Sequence, residues 1–170
     1  MTIRDDIVAE VPRLRRYARV LLRDQVAADD LVQDCLERAL SRLHLFRPGT
    51  NLRAWLFTIM HNLHVNAVIR ARRERPASNG DAASEGFDCA VAPAQGEGLA
   101  VRDMARALDQ LTSEQRAVVL LVGVEGLTYA ETAAVLDVPV GTVMSRLARG
   151  RERLRVLMNG ADPSPRRTVS

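Results

Sequence analysis

Lysine is absent: all 24 basic residues of the 170-residue chain are arginines. Arginine suits a planar fork that must meet phosphate or a guanine edge, but a GC-rich coding bias also replaces lysine with it. Where the charge lies therefore says more than the net +3. Aromatics are scarce too, at 4% against a hydrophobic fraction of 47%, so burial rests on Leu, Val, Ala and Ile. That balance favours helix packing and puts an all-β fold at a disadvantage.

Cysteine is nearly missing. Cys35 and Cys89 stand far apart, with no Cys-x-x-Cys or Cys/His ligand spacing, which excludes a disulfide framework and a zinc site and points to a reducing compartment. There is also no long apolar run. The longest, "AVVLLVGV" from Ala117 to Val124, falls far short of the roughly 20 residues of a membrane span. The N-terminal "MTIRDDIVAE" lacks the apolar core of a signal peptide, so a cytoplasmic location without membrane insertion is expected.

What is present is helical patterning in two blocks. "ASNGDAASEGFDCAVAPAQGEG", Ala77 to Gly98, carries Asp81, Glu85, Asp88 and Glu97, no basic residue and no sustained period, and is read as a linker. The expected organisation is a helical domain over 1–75, a flexible acidic linker over 76–100, a second helical domain over 101–160 and a disordered tail over 161–170. The tail's Arg166 and Arg167 add at most nonspecific attraction to DNA.

In the first block, Leu14, Tyr17, Ala18 and Leu21 form one helical face. The next helix, "ADDLVQDCLERALSRL", lines up Val32, Cys35, Leu36, Ala39 and Leu43, which makes Cys35 a small core residue and turns Asp30, Gln33, Asp34 and Glu37 outward. "FRPGTN", Phe46 to Asn51, is a turn. The third helix, "LRAWLFTIMHNLHVNAVIRARRER", gathers Leu52, Leu56, Ile59, Met60, Leu63 and Ala67 on one side. Thr58, His61, Asn62, Val65 and Arg72 lie on the other, with Trp55 at the border. Its closing arginines complement the negative end of the helix dipole.

The second block announces its helix starts. Thr112 with Gln115 and Thr128 with Glu131 both fit a capping box. "TYAETAAVLD" ends at "DVPV", where Pro139 suits the first turn of the following helix, so two short helices joined by a tight turn are predicted. On a wheel, Leu147, Gly150 and Leu154 fall within about 40° of Val143 and define a buried stripe. Thr142, Ser145, Arg146, Arg149 and Arg153 share a separate polar arc, suited to a major groove, whereas Arg151 and Arg155 point elsewhere. An Arg stripe alone is a weak signal; the capped helix and the "VPVGT" turn ahead of it make this a helix-turn-helix.

The strings "ADDLVQDCLERAL" and "LRAWLFTIMHN", followed after the linker by "LTYAETAAVLDVPVGTVMSRLARGRERL", resemble regions 2 and 4 of bacterial RNA polymerase sigma factors of the extracytoplasmic-function (ECF) group. The resemblance covers nearly everything except the linker and the tail. It implies an all-α fold of two small helical domains, a region 2 bundle and a region 4 helix-turn-helix. It also implies a factor that binds core RNA polymerase, recognises minus-35 and minus-10 elements, promotes melting, needs no cofactor and is not itself an enzyme.

By that resemblance, Asp30, Gln33, Asp34 and Glu37 dock on the β′ clamp helices, and region 4 meets the β flap. Phe46, Asn51, Trp55, Thr58, His61 and Asn62 belong to the minus-10 reader, with the Phe46–Asn51 loop placed to capture a flipped base and Asn62 matching the asparagine of W-L-x-x-I-x-x-N. Thr142, Ser145, Arg146 and Arg149 become minus-35 contacts, with Arg153 on phosphate. An anti-sigma factor that covers both domains is the implied inhibitor. The linker then permits a closed inhibited form and an open polymerase-bound form.

Departures exist: the family often has Ala where Met60 stands and Asp where Asn66 stands. "HNLH" adds His61 and His64 without a third ligand, which is a weak metal signal. A rival reading is an ordinary helix-turn-helix regulator whose first half dimerises or senses. An enzyme using His44, His61, His64 or Cys35 fails on spacing, because no nucleophile, base and orienting acid fall together.

Overall fold

A computed structural model of the chain describes residues 2–74 and 98–160. The predicted linker, Cys89 and the tail lie outside them, except that the stretch assigned to the linker ends inside a helix. Among the described residues every regular element is helical, and no helix is long and apolar enough to cross a membrane.

The first half contains α1 (Ile3–Leu22), α2 (Gln25–Ser41) and α3 (Leu52–Glu74), with a 3-10 turn at Leu43–Leu45. Thr2 caps α1 in a reciprocal box with Asp5. Arg23 ends the helix in the left-handed region at φ 58°, and Asp24 immediately caps α2, its Oδ1 accepting from the amides of Val26 and Ala27 at 2.9 and 3.2 Å. Left-handed backbone followed at once by an N-cap folds α1 and α2 into a tight corner. The second helix therefore starts three residues before the apolar spacing suggested.

Between these helices Ile7, Leu14, Tyr17 and Ala18 meet Ala28, Leu31, Val32, Cys35 and Ala39, with Leu56, Phe57 and Met60 of α3 closing the core. The Tyr17 and Phe57 rings meet edge to face at 5.1 Å. Phe57 was left off the apolar face of the wheel because it lies beside Leu56 rather than one turn away; α3 is flanked on two sides and buries a wider arc. Ala67, expected inside, is exposed, as is the whole of α3 from Val65 onward, because the bundle ends there. Cys35 is a core residue: its Sγ lies 3.5 Å from the Leu56 carbonyl, and burial pushes its thiol up to about 12, which leaves it inert.

The second half contains α4 (Leu99–Asp109), α5 (Ser113–Val119), α6 (Tyr129–Leu136) and α7 (Val140–Asn159). Arg116 is buried and donates to the carbonyls of Leu108, Asp109 and Leu111, satisfying the end of α4 and fixing its corner with α5. After Val119 the backbone widens into a π-turn over Leu120–Val124 and stops at Gly126, φ 72°. Thr128 and Glu131 form the predicted reciprocal box on α6. At α5 only half of the predicted box exists, with Thr112 accepting from the Gln115 amide.

Pro139 lies one position outside α7, as its N-cap, and its carbonyl accepts from the amides of Thr142 and Val143. The α7 wheel holds: Val143, Leu147 and Gly150 are buried and Leu154 is half-buried. A Cβ on Gly150 would come 2.8 Å from Val119 Cγ2, so glycine is what lets α5 and α7 approach.

The buried residues of the two halves form one continuous cluster. Contacts between α1 and both α4 and α5, and a broader packing of α3 on α6, join them.

Gly150→Val is expected to destabilise the chain by about 1–3 kcal/mol through overpacking. Thermal unfolding should show a lowered midpoint, while Ala148→Val at an exposed site of the same helix changes it little.

Candidate nucleic-acid interface

Region by region, the structure brings some of the predicted site residues together and engages others elsewhere. On α2, Asp30, Gln33, Asp34 and Glu37 are all exposed, and Gln33 donates to Glu37 Oε1 at 3.1 Å one turn on. They form a polar stripe opposite the core-facing Leu31, Val32 and Cys35.

At the start of α3, Phe46 and Trp55 lie with ring centroids 5.2 Å apart and planes tilted by 54°. Trp55 is half-buried and packs on the core by one side, the border position that the wheel gives it. An open cleft of about 550 Å³ lies beside Phe46, lined also by Pro48, Gly49 and Thr50 of the loop and by Ile3, Asp6, Leu43 and Leu52. Gly49 turns that loop at φ 88°.

Asn51 caps α3, with Oδ1 accepting from the Ala54 amide at 3.3 Å and Nδ2 donating to Glu131 Oε1 at 2.8 Å. Thr58 is half-buried and returns its hydroxyl to the Ala54 carbonyl at 2.8 Å. Asn62 is exposed and His61 is half-buried.

On α7, Ser145, Arg149 and Arg153 are exposed. Ser145 donates to the Thr142 carbonyl at 3.1 Å, and Thr142 is itself half-buried. Arg146 is the most enclosed arginine of the stripe: its side chain is 24% exposed and pairs with Glu114 of α5 at 3.3 Å. Arg149 and Arg153 flank a shallow groove shared with Gln110, Thr112 and Gln115 at the α4–α5 corner. Arg155 is occupied by Glu152, at 2.6 and 3.0 Å, which separates it from the reading stripe.

The sequence reading missed a polar cluster between the halves. Glu125, at the exit of the π-turn, is 1% exposed. Its Oε1 accepts from Arg16 Nε and Nη2 at 3.1 and 2.7 Å, and its Oε2 lies 3.6 Å from Arg13 Nη1. Arg53 grips Glu10 through two nitrogens and donates a third hydrogen bond to the Glu125 carbonyl at 3.0 Å. Tyr17 lies close by, and burial together with the Glu125 charge raises its phenol above the ordinary value. The one signal in the sequence was a carboxylate closing the apolar run, "VGVEG", which the hydrophobic reading passed over.

No group of three His, Cys, Asp or Glu side chains comes together as a metal site among the described residues. Burial is the main cause that lowers both His61 and His64 below the usual imidazole range. Asp137 partly offsets it at His61, and at His64 the neighbouring His61 adds to it.

Residues 7–61 match the family model described as the Sigma2 domain of PhyR, and residues 102–154 match Sigma-70, region 4. The chain is 41% identical over 157 residues to the ECF RNA polymerase sigma factor EcfG of Rhodopseudomonas palustris, covering 92% of this chain and 85% of that one. It is 37% identical to the ECF sigma factor SigE of Mycolicibacterium smegmatis, covering 89% of this chain and 60% of that longer one. Among solved structures, the sigma factor RpoE of Bartonella quintana, in complex with the anti-sigma factor NepR, superposes with a TM-score of 0.77 at 32% identity. That likeness covers 92% of this chain and 96% of RpoE.

The two imidazoles give a pH prediction with a definite sign. Their folded values lie below the unfolded one, so the unfolded chain takes up protons that the folded chain refuses. The stability they contribute is present above about pH 6.5 and is lost as pH falls through that value toward the lowered ones. The denaturant midpoint should drop between about pH 7.5 and about pH 5.5, and a His61→Gln/His64→Gln chain should drop less.

Proposed function

The chain belongs to the ECF RNA polymerase sigma factors, and from that membership we propose that it binds core polymerase and directs it to promoters with a minus-10 and a minus-35 element. The observation that carries this reading is the joint match of regions 2 and 4, in order, within one relative at 41% identity over 92% of the chain. In this reading residues 1–75 are region 2, 76–100 the connection, 101–160 region 4 and 161–170 a tail. The polymerase carries the chemistry, and this chain supplies binding and position.

The exposed stripe Asp30, Gln33, Asp34 and Glu37 docks on the clamp helices of β′, and region 4 meets the β flap. The arc Thr142, Ser145, Arg146, Arg149 and Arg153 reads minus-35 duplex. Glu114 holds the Arg146 guanidinium in place, so a base contact meets a pre-set fork rather than a free side chain. Arg149 and Arg153, exposed beside the α4–α5 corner, suit phosphates.

At minus-10 the duplex opens, and unpaired bases are held by stacking, by edge hydrogen bonds and by a cationic track. The open cleft beside Phe46, walled mostly by apolar side chains, fits one flipped base. The exposed Asn62 fits an edge contact, and Asn51, Thr58 and His61 flank the same strand. Control by an anti-sigma factor is extended to this chain from RpoE, which is held by NepR. That partner, like the cytoplasm, is part of the proposal.

Purified core polymerase with this protein on a genomic promoter pool tests the reading, with transcript starts as the readout. New protein-dependent starts are expected; a competent polymerase that gains none sinks it. An ordinary helix-turn-helix regulator would instead bind duplex without polymerase.

Within such a system Arg146→Ala is expected to cost about 1–3 kcal/mol and to relax preference at one upstream position. Uniform weakening across all sequences would assign Arg146 to phosphate. Asn62→Ala should impair opening, read by a permanganate footprint, while a polymerase-binding assay stays at the wild-type value.

A further inference from the structure

Helix α3 outruns the bundle that it helps to build. From Val65 to Glu74 every residue is exposed, and no acidic residue stands in the helix before Glu74, its last. A helical extension without a buried face gains nothing from packing, which makes its outward pattern the informative feature.

On a helical wheel Asn62, Asn66, Ile69 and Arg73 fall within an arc of about 60°, roughly opposite the core-facing Leu56, Phe57 and Met60. Arg70 and Arg72 lie about 80° to either side of Asn62. The outward face is thus a central line of two amides, one apolar side chain and one cation, rimmed by an arginine on each flank. Asn66 stands where the family often has Asp, so an amide that can pair with a base edge takes the place of a charge that repels phosphate.

That layout matches the demands of a major groove. The groove admits one α-helix; residues on the leading line meet base edges, and cations at the rims meet the phosphate backbones. An amide bonds adenine through two atoms, and an apolar side chain such as Ile69 packs on a thymine methyl. From Asn62 to Arg73 the helix runs about 16 Å, which spans about five base pairs of duplex. An unpaired strand offers no such groove, so the occupant that suits this face is double-stranded.

We infer that residues 65–74 of α3 form a duplex-reading arm. It lies in the major groove directly upstream of the melted minus-10 element, with Asn66 and Ile69 on base edges and Arg70, Arg72 and Arg73 on phosphates. In chain order α3 leads from the minus-10 half to the half assigned to minus-35, which puts the arm on the upstream side. The arm continues the line that Asn62 begins, and so rests on the proposed minus-10 role of Asn62.

Holoenzyme assembled from core polymerase and the full chain provides the test on two fork-junction DNAs. Both carry the same single-stranded minus-10 region and no minus-35 element; one has about two base pairs of upstream duplex and the other about eight, enough to cover the reach of the arm. Three variants are compared with the wild type: Arg70→Gln/Arg72→Gln/Arg73→Gln, Arg70→Lys/Arg72→Lys/Arg73→Lys and Asn66→Ala. All four positions are exposed and outside the core, so the fold does not depend on them.

The glutamine triple should bind the long fork about tenfold or more weaker and the short fork within about twofold of the wild type, with the salt slope on the long fork reduced by about one per arginine. The lysine triple, which keeps the charge, should recover most of the loss. Asn66→Ala should leave the slope unchanged and relax preference at one upstream base pair by about five- to hundredfold. Equal binding of the wild type and the glutamine triple on the long fork would overturn the arm, and unchanged preference in Asn66→Ala would overturn its base reading. An equal loss on both forks, matched by weaker binding to core polymerase alone, would also overturn it and assign these arginines to the polymerase. If the wild-type holoenzyme binds neither fork, the minus-10 reading itself fails and the arm falls with it.

Discussion

A carboxylate with almost no exposure, 125 positions into the chain, organises this molecule. Glu125 is delivered by a specific sequence of backbone events: α5 runs through its apolar residues, widens into a π-turn and ends on the positive φ of Gly126. Burying that charge is tolerable only because Arg16 supplies two hydrogen bonds to one oxygen and Arg13 stands beside the other. Arg53 is fixed in turn by Glu10 and takes the carbonyl of the same residue. Two helices of the first half, α1 and α3, are thus registered against one turn of the second.

The consequence for the proposed function is that the surfaces assigned to recognition are not displayed equally. The α2 stripe and the outer arginines of α7 are open to solvent, whereas the donors around the start of α3 are partly engaged by α6. Even the cap of α3 is shared: Asn51 closes its own helix with one amide atom and grips region 4 with the other. A residue with two such employments couples local helix structure to domain arrangement.

Much of this was legible in the sequence, and for identifiable reasons. The α7 stripes follow from a single helix period, so Val143, Leu147 and Gly150 fall inward and Ser145, Arg149 and Arg153 outward without knowledge of what surrounds them. The Thr128–Glu131 box is local and reads directly. Phe57 was missed because burial on two sides of α3 is a tertiary fact, and Ala67 was over-read because periodicity continues past the point where the bundle stops. The half-box at Thr112 shows that a spacing permits a contact without requiring it. Above all, the Glu125 cluster joins residues 109 positions apart, and no periodic pattern carries information over such a separation.

The choice of cation around Glu125 has one more outcome. An arginine guanidinium keeps its proton at any pH a cell experiences and offers no primary amine for acylation. Neither an alkaline shift nor an acetyl group can discharge the cationic side of this cluster, as either might with lysine. The cations that join the two halves therefore keep their charge through an alkaline shift and in the presence of acetylating enzymes alike.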